Sequence, residues 1–159
     1  MKSDAAFLRD FHRSHAVVSL VASHLVGEGM DAWIRPPELR PSPEVRQAYS
    51  DAGDIGVLID CRWMRVEVKS RSFSWTGSSD FPYPDAIVDE AYHVDREGAD
   101  SPLLAYAIVA SDLEHLLWIP RSTRDSWTTK RMWDVQQKRH CDFLLCPLHK
   151  AEFISMRHT

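Results

Sequence analysis

Hydrophobic and polar residues recur with two different periods along this chain, and the changes of period mark out its elements. From Asp4 to about Val26 the apolar residues Phe7, Phe11, Val18, Ala22 and Leu25 fall at helical spacing. Ser3 is available as N-cap, and Gly27 and Gly29 end the run, so a long amphipathic helix is predicted. Ala32-Trp33-Ile34 reads as a short strand cut off by Pro36-Pro37, and PPELRPSPEV as a Pro-rich surface loop. Two strand-like runs follow, Asp54 to Asp60 and Met64 to Ser70, so close together that they predict a tight hairpin. RSFSWTGSSDFPYP is a loop, and Asp85 to Glu97 is compatible with a helix. Leu103 to Ala110 reads as a fully buried strand, His115 to Ile119 as its neighbour, and Asp142 to Cys146 as another strand. Residues 121–139 fit either helix or loop. The order of helix, three strands, helix and further strands predicts one α/β domain over 1–159, a mixed sheet flanked by helices.

The hairpin separates its residue types by face. With Cys61 and Arg62 as the turn, Asp54 faces Lys69, Gly56 faces Glu67 and Leu58 faces Arg65. Side chains alternate along a strand, and opposed residues share a face. One face then carries Ile55, Val57, Ile59, Val66 and Val68 and is expected on the core. The other gathers Asp54, Glu67 and Lys69 near one end, with Gly56 leaving room for an ion. A slip of one residue would bury these charges.

Two carboxylates at this range repel unless a cation lies between them. Hard oxygen ligands favour Mg²⁺ or Mn²⁺, completed by phosphate and water. A lysine beside such an ion can hold the attacking water and offset charge building on phosphorus, while the metal acidifies its water and acts as a Lewis acid. The trio has the parts that phosphodiester hydrolysis needs.

Asp54, followed by Glu67-Val68-Lys69 on the next strand, within GDIGVLID and RVEVKSRS, resembles the PD-(D/E)xK nuclease superfamily. The long helix before these strands and the helix and strand after them are similar to that family's αβββαβ, restriction-endonuclease-like core, over roughly residues 4 to 120. The resemblance implies a metal-dependent nuclease acting on nucleic acid, DNA first among the candidates. Asp54, Glu67 and Lys69 would be catalytic, with Asp54 and Glu67 as ligands of Mg²⁺ or Mn²⁺. Small nucleases of this fold often work as dimers, so a homodimer is allowed. Gly53 stands where the family has Pro, and His15-Ala-Val-Val occupies the middle of the first helix, where many members place a Glu. His15 and Glu28 are the stand-ins for a third ligand.

Composition adds boundaries. The 159 residues suffice for one domain with a real core, and 44% hydrophobic with 26% charged residues is globular rather than disordered. No apolar run approaches the ~18 residues that span a bilayer. The start, MKSDAAFLRDFHRSH, lacks a signal-like apolar stretch, which makes cytoplasm the expected compartment. Cys61, Cys141 and Cys146 read as free thiols. Residues 1–119 hold 11 Lys/Arg against 19 Asp/Glu, a balance of −8, whereas residues 120–159 hold 8 against 4, a balance of +4. That asymmetry suits carboxylates gathered at a metal with phosphates bound elsewhere, and equally a solvated surface.

Several residues carry two readings. Ser70 and Arg71 extend the strand beyond Lys69, toward a phosphate or simply into solvent. Phe73, Trp75, Phe81 and Tyr83 either stack on unpaired bases or pack their loop onto the body. Arg121, Arg124, Lys130, Arg131, Lys138 and Arg139 form a phosphate-binding strip or an ordinary surface. Asp85, in a second Pro-Asp pair that follows the E-x-K, is read as a residue of a helix N-cap region, the alternative being a place near the site. Cys141 and Cys146, five apart in a strand, point to opposite faces, which disfavours zinc with His140 and His149. The competing function is a catalytically silent nucleic-acid-binding or assembly protein of the same fold.

Overall fold

The computed structural model describes residues 4–36, 54–94, 102–135 and 138–157, with side chains described from residue 13 onward. The Pro-rich loop beyond Pro36, Ser3, Gly53, residues 95–97 and the Phe7 and Phe11 side chains lie outside the described residues.

Helix α1 (Asp4–Gly27) leads through Gly29, whose φ is +84°, into strand β1 (Asp31–Ile34). Strands β2 (Ile55–Ile59) and β3 (Arg62–Ser70) form the expected hairpin, but the turn is Asp60-Cys61 rather than Cys61-Arg62. Both turn residues have positive φ, 49° and 61°, the backbone of a two-residue turn whose twist matches the flanking strands. Pairing is therefore Gly56 with Arg65 and Leu58 with Trp63, two residues away from the predicted register. A shift of two leaves every side chain on its face, so the separation into apolar and polar faces survives.

Strand β4 (Asp85–Glu90) and a single helical turn α2 (Ala91–Val94) occupy the segment read as a helix. The alternation decides it: Ala86, Val88 and Glu90 are buried, while Asp85, Ile87 and Asp89 are half-exposed. Asp85 is thus the start of a strand, not a helix cap. Strands β5 (Leu103–Val109) and β6 (His115–Pro120) stand where expected. The ambiguous stretch is a 3₁₀ turn at Arg121–Ser126 and strand β7 (Thr128–Asp134), followed by β8 (Arg139–Pro147) and β9 (Glu152–Ser155).

Two sheets result, one of six strands in the order β1-β2-β3-β5-β6-β9 and one of three, β4-β8-β7. The β3–β5 pair is parallel and the rest are antiparallel. On one face of the large sheet, Val17, Val18, Val21, Ala22 and Leu25 of α1 pack on Ile55, Val57, Val66, Ala107 and Val109. On the other, Ala86, Val88, Leu144 and Cys146 of the small sheet pack on Tyr106, Ile108, Leu117 and Ile119. The architecture is mixed α/β, mostly strand. Among the described residues the long helix α1 covers one face, and a second sheet takes the place of the helices expected on the other. No helix among the described residues is long and apolar enough to cross a membrane.

Candidate active site

The polar face of β1–β2–β3 is built in rows. Register pairs Asp31 with Leu58 and Leu58 with Trp63, then Trp33 with Gly56 and Gly56 with Arg65. The Arg35 amide donates to the Asp54 carbonyl at 3.0 Å and the Asp54 amide to the Val66 carbonyl at 3.2 Å. Arg35 thus lies beside Asp54, whose amide shares the Val66 carbonyl at the end of the β2–β3 register, next to Glu67 in sequence. Lys69 follows on the same face of β3.

Each member of the predicted trio also has a structural task. One Asp54 carboxylate oxygen accepts the Val68 amide at 2.7 Å, continuing the ladder where β2 has ended. The Lys69 ammonium lies 4.0 Å from a Glu67 oxygen and 3.0 Å from Asp89 on β4. It also sits 5.9 Å from the centroid of Tyr106, the residue beside Glu67 on β5. Asp89 is the residue that sequence reasoning missed. One of its oxygens takes Lys69, while the other accepts the Glu90 amide at 2.8 Å and faces His93 Nδ1 at 3.3 Å. No alternation of polar and apolar residues marks DAIVDE in the sequence; the alternation is one of burial, imposed by packing of the second sheet.

Gly56 does not hold space for an ion. A Cβ there would stand 2.8 Å from the Trp33 ring, so the missing side chain makes room for that indole. Among the described residues, two groups bring three ligand-type side chains within 4.8 Å of one another: Glu90, Asp134 and Cys141, and Asp112, Glu114 and His115. Asp54 and Glu67 belong to neither. In the first group Arg139 lies 3.5 Å from the buried Glu90. His15 and Glu28 are exposed residues of α1 and its C-terminal turn, and α1 packs on the opposite face of the sheet.

The nucleic-acid candidates separate. Ser70 is exposed at the end of β3. The Arg71 guanidinium donates to the Ile87 carbonyl at 2.7 Å; burial lowers its pKa, and Asp89 pulls the other way. Lys69 and Arg71 therefore fasten the end of β3 to β4. Trp75 is 1% exposed inside the core between the sheets, so its ring is not offered to a base. Phe73, Phe81 and Tyr83 interlock with it, at centroid distances of 5.4 Å for Phe73–Trp75 and 5.6 Å for Phe73–Tyr83. Trp75, Phe73 and Phe81 pack the loop onto the body, while Tyr83 is 54% exposed. Arg121 and Arg124 lie half-buried in the 3₁₀ turn, with Arg124 5.7 Å from the centroid of Trp127. Trp127 in turn meets Tyr106 at 6.1 Å. Cys141 and Cys146 are buried free thiols, and Cys61 is an exposed one.

Comparisons with protein-family models, with curated proteins and with solved structures find no match. Nothing in them identifies the PD-(D/E)xK superfamily.

Proposed function

We propose that the chain is a divalent-metal-dependent nuclease that hydrolyses phosphodiester bonds of nucleic acid, with DNA as the first substrate to test. Its fold is read as a variant of the restriction-endonuclease-like core. Helix α1, the β1–β2–β3 meander and β5 parallel to β3 support this reading, while the crossover holds β4 and the single turn α2 where the core has a helix. The observation that carries the proposal is that Asp54, bonded to the Val68 amide between Glu67 and Lys69, and the Glu67–Lys69 pair meet at one end of the hairpin, where Lys69 reaches Asp89 of the second sheet.

In this reading Asp54 and Glu67 hold Mg²⁺ or Mn²⁺ through hard oxygens. The ion, when bound, supplies Lewis acidity and acidifies a water. Lys69 orients the attacking water and offsets negative charge developing on the phosphoryl oxygens. Asp89, 3.0 Å from the ammonium, fixes the lysine head group. Arg71, turned onto Ile87, positions β3 rather than substrate.

The test is incubation with DNA and RNA of single-stranded, duplex and branched form, with Mg²⁺, Mn²⁺ or EDTA. Cleavage should require the metal. Lys69→Met should slow single-turnover cleavage by about 10² or more, as when a transition-state electrostatic partner is lost. Equilibrium affinity should change far less, since one phosphate contact is a small share of the total. A second reading, a silent nucleic-acid-binding or assembly protein, draws support from the Val68 amide on Asp54 and from the Lys69–Asp89 pair, which satisfy those groups within the fold. Binding without cleavage under every metal would establish it.

A further inference from the structure

Among the described residues, the face of the large sheet opposite α1 is covered only in part. Over β5 and β6 it lies beneath the second sheet, whereas over β1, β2 and β3 it presents two large aromatics. Trp33 is 37% exposed and Trp63 40%, and they meet edge to face. They belong to consecutive rows, so the contact follows from the register. Trp33 lies on Gly56, where any Cβ would strike the ring. A β-branched or larger residue, the usual choice in a strand, would displace the indole from the sheet. The Arg35 guanidinium is 6.0 Å from the Trp33 ring centroid, and Arg65 stands in the same row as Trp33. Asp54 stands two residues from Gly56 and Glu67 two residues from Arg65, each roughly 7 Å along its strand from that row.

Exposed indoles flanked by guanidinium groups form a surface that unpaired bases recognise: the rings stack on any base, and the cations follow the backbone. A base paired within a duplex keeps its faces against its neighbours and cannot use such a platform. We infer that Trp33 and Trp63 are a stacking platform for single-stranded nucleic acid, holding an unpaired nucleotide next to the phosphate presented to Asp54, Glu67 and Lys69. The inference rests on the nuclease reading for the second half of that statement, and it names the substrate class of that site as single-stranded or locally unpaired.

Binding and cutting are measured separately. Fluorescently labelled single-stranded and duplex oligonucleotides of equal length are titrated with the full chain in EDTA, where no metal-dependent cleavage occurs. The wild type should prefer the single strand. Trp33→Ala and Trp63→Ala should each weaken single-strand binding roughly tenfold, as for loss of one base–aromatic stack, and leave duplex binding unchanged. Trp33→Phe and Trp63→Phe, which keep a stacking face, should retain most of the affinity, and circular dichroism checks that all four variants fold. Equal affinity for single strand and duplex, or alanine variants that bind like wild type, would overturn the platform. So would a dimer that the alanine variants dissociate in analytical ultracentrifugation. Trp-dependent binding without cleavage under Mg²⁺ or Mn²⁺ would uphold the platform and remove the nuclease. Metal-dependent cleavage of duplex that ignores both tryptophans would do the reverse.

Discussion

Because the Val68 amide donates to Asp54, Asp54→Ala removes an acceptor as well as a charge, and its effects mix stability with chemistry. Asp54→Asn separates them, since an amide oxygen can still accept that bond. The alanine variant should lose about 1 kcal/mol of unfolding free energy, the lower end for an unsatisfied part-buried donor, and the asparagine variant clearly less. Mn²⁺ titration should show weakened binding in both, and unchanged affinity in Asp54→Asn would place the ion elsewhere. Asp80 offers a comparable residue-scale test that uses pH. Its carboxylate accepts the Thr76 and Gly77 amides at 2.9–3.0 Å and the Thr76 hydroxyl at 2.9 Å. The Gly77 bond, then the Thr76 bonds, hold its pKa below the usual carboxylate range. A depressed folded-state pKa gives stability that is complete above the unfolded value of about 3.9 and is lost as pH falls through the folded value. Thermal melts of wild type and Asp80→Asn should therefore differ at pH 6 and converge toward pH 2.

At the scale of elements, the hairpin turn makes its own prediction. Cys61 is exposed with φ at 61°, a conformation costing a side-chain-bearing residue about 1–2 kcal/mol. Cys61→Gly should raise the urea midpoint by the equivalent of up to ~1 kcal/mol, part of the gain returning to the freer unfolded chain. An unchanged or lower midpoint would mean the turn is not strained there. The same turn explains what could be read in advance. Period-two alternation around Val66 and Val68 revealed two strands and their faces, and both survive a register error of two. Asp-Cys is not one of the dipeptides that announce such a turn, so the register itself was hidden. Asp85–Glu90 misled because acidic residues and alanine suit a helix, while the burial that makes it a strand comes from β8, more than fifty residues on. Asp89 was invisible for that reason: its approach to Lys69 depends on how the second sheet lies against the first. Trp75 looked available because loop aromatics carry no mark that distinguishes core from surface.

For the whole molecule, the charge asymmetry of the sequence acquires a location. The basic residues 120–159 supply β7 and β8 of the covering sheet and the edge strand β9, so the site lies at the junction of the acidic and basic parts of the chain. Lys130 and Arg131 are exposed on the edge strand β7. If they meet phosphates, replacing both with Ala should lower the slope of log affinity against log salt by about 1.4–1.8 for the two contacts, with little change in the metal dependence of cleavage. An unaltered slope would assign them to the ordinary solvated surface.

The order of strands also dictates a timetable. Strand β4 finds its hydrogen-bonding partner in β8, and β6 finds its second neighbour in β9. A chain emerging from the ribosome can therefore assemble α1 with β1, β2, β3, β5 and β6 while Trp75, Val88 and the far face of β5 still await their cover. Long-range pairing of this kind closes slowly. The Lys69–Asp89 contact joins the early part to the late one, so the lysine is fastened only after the last third of the chain has arrived.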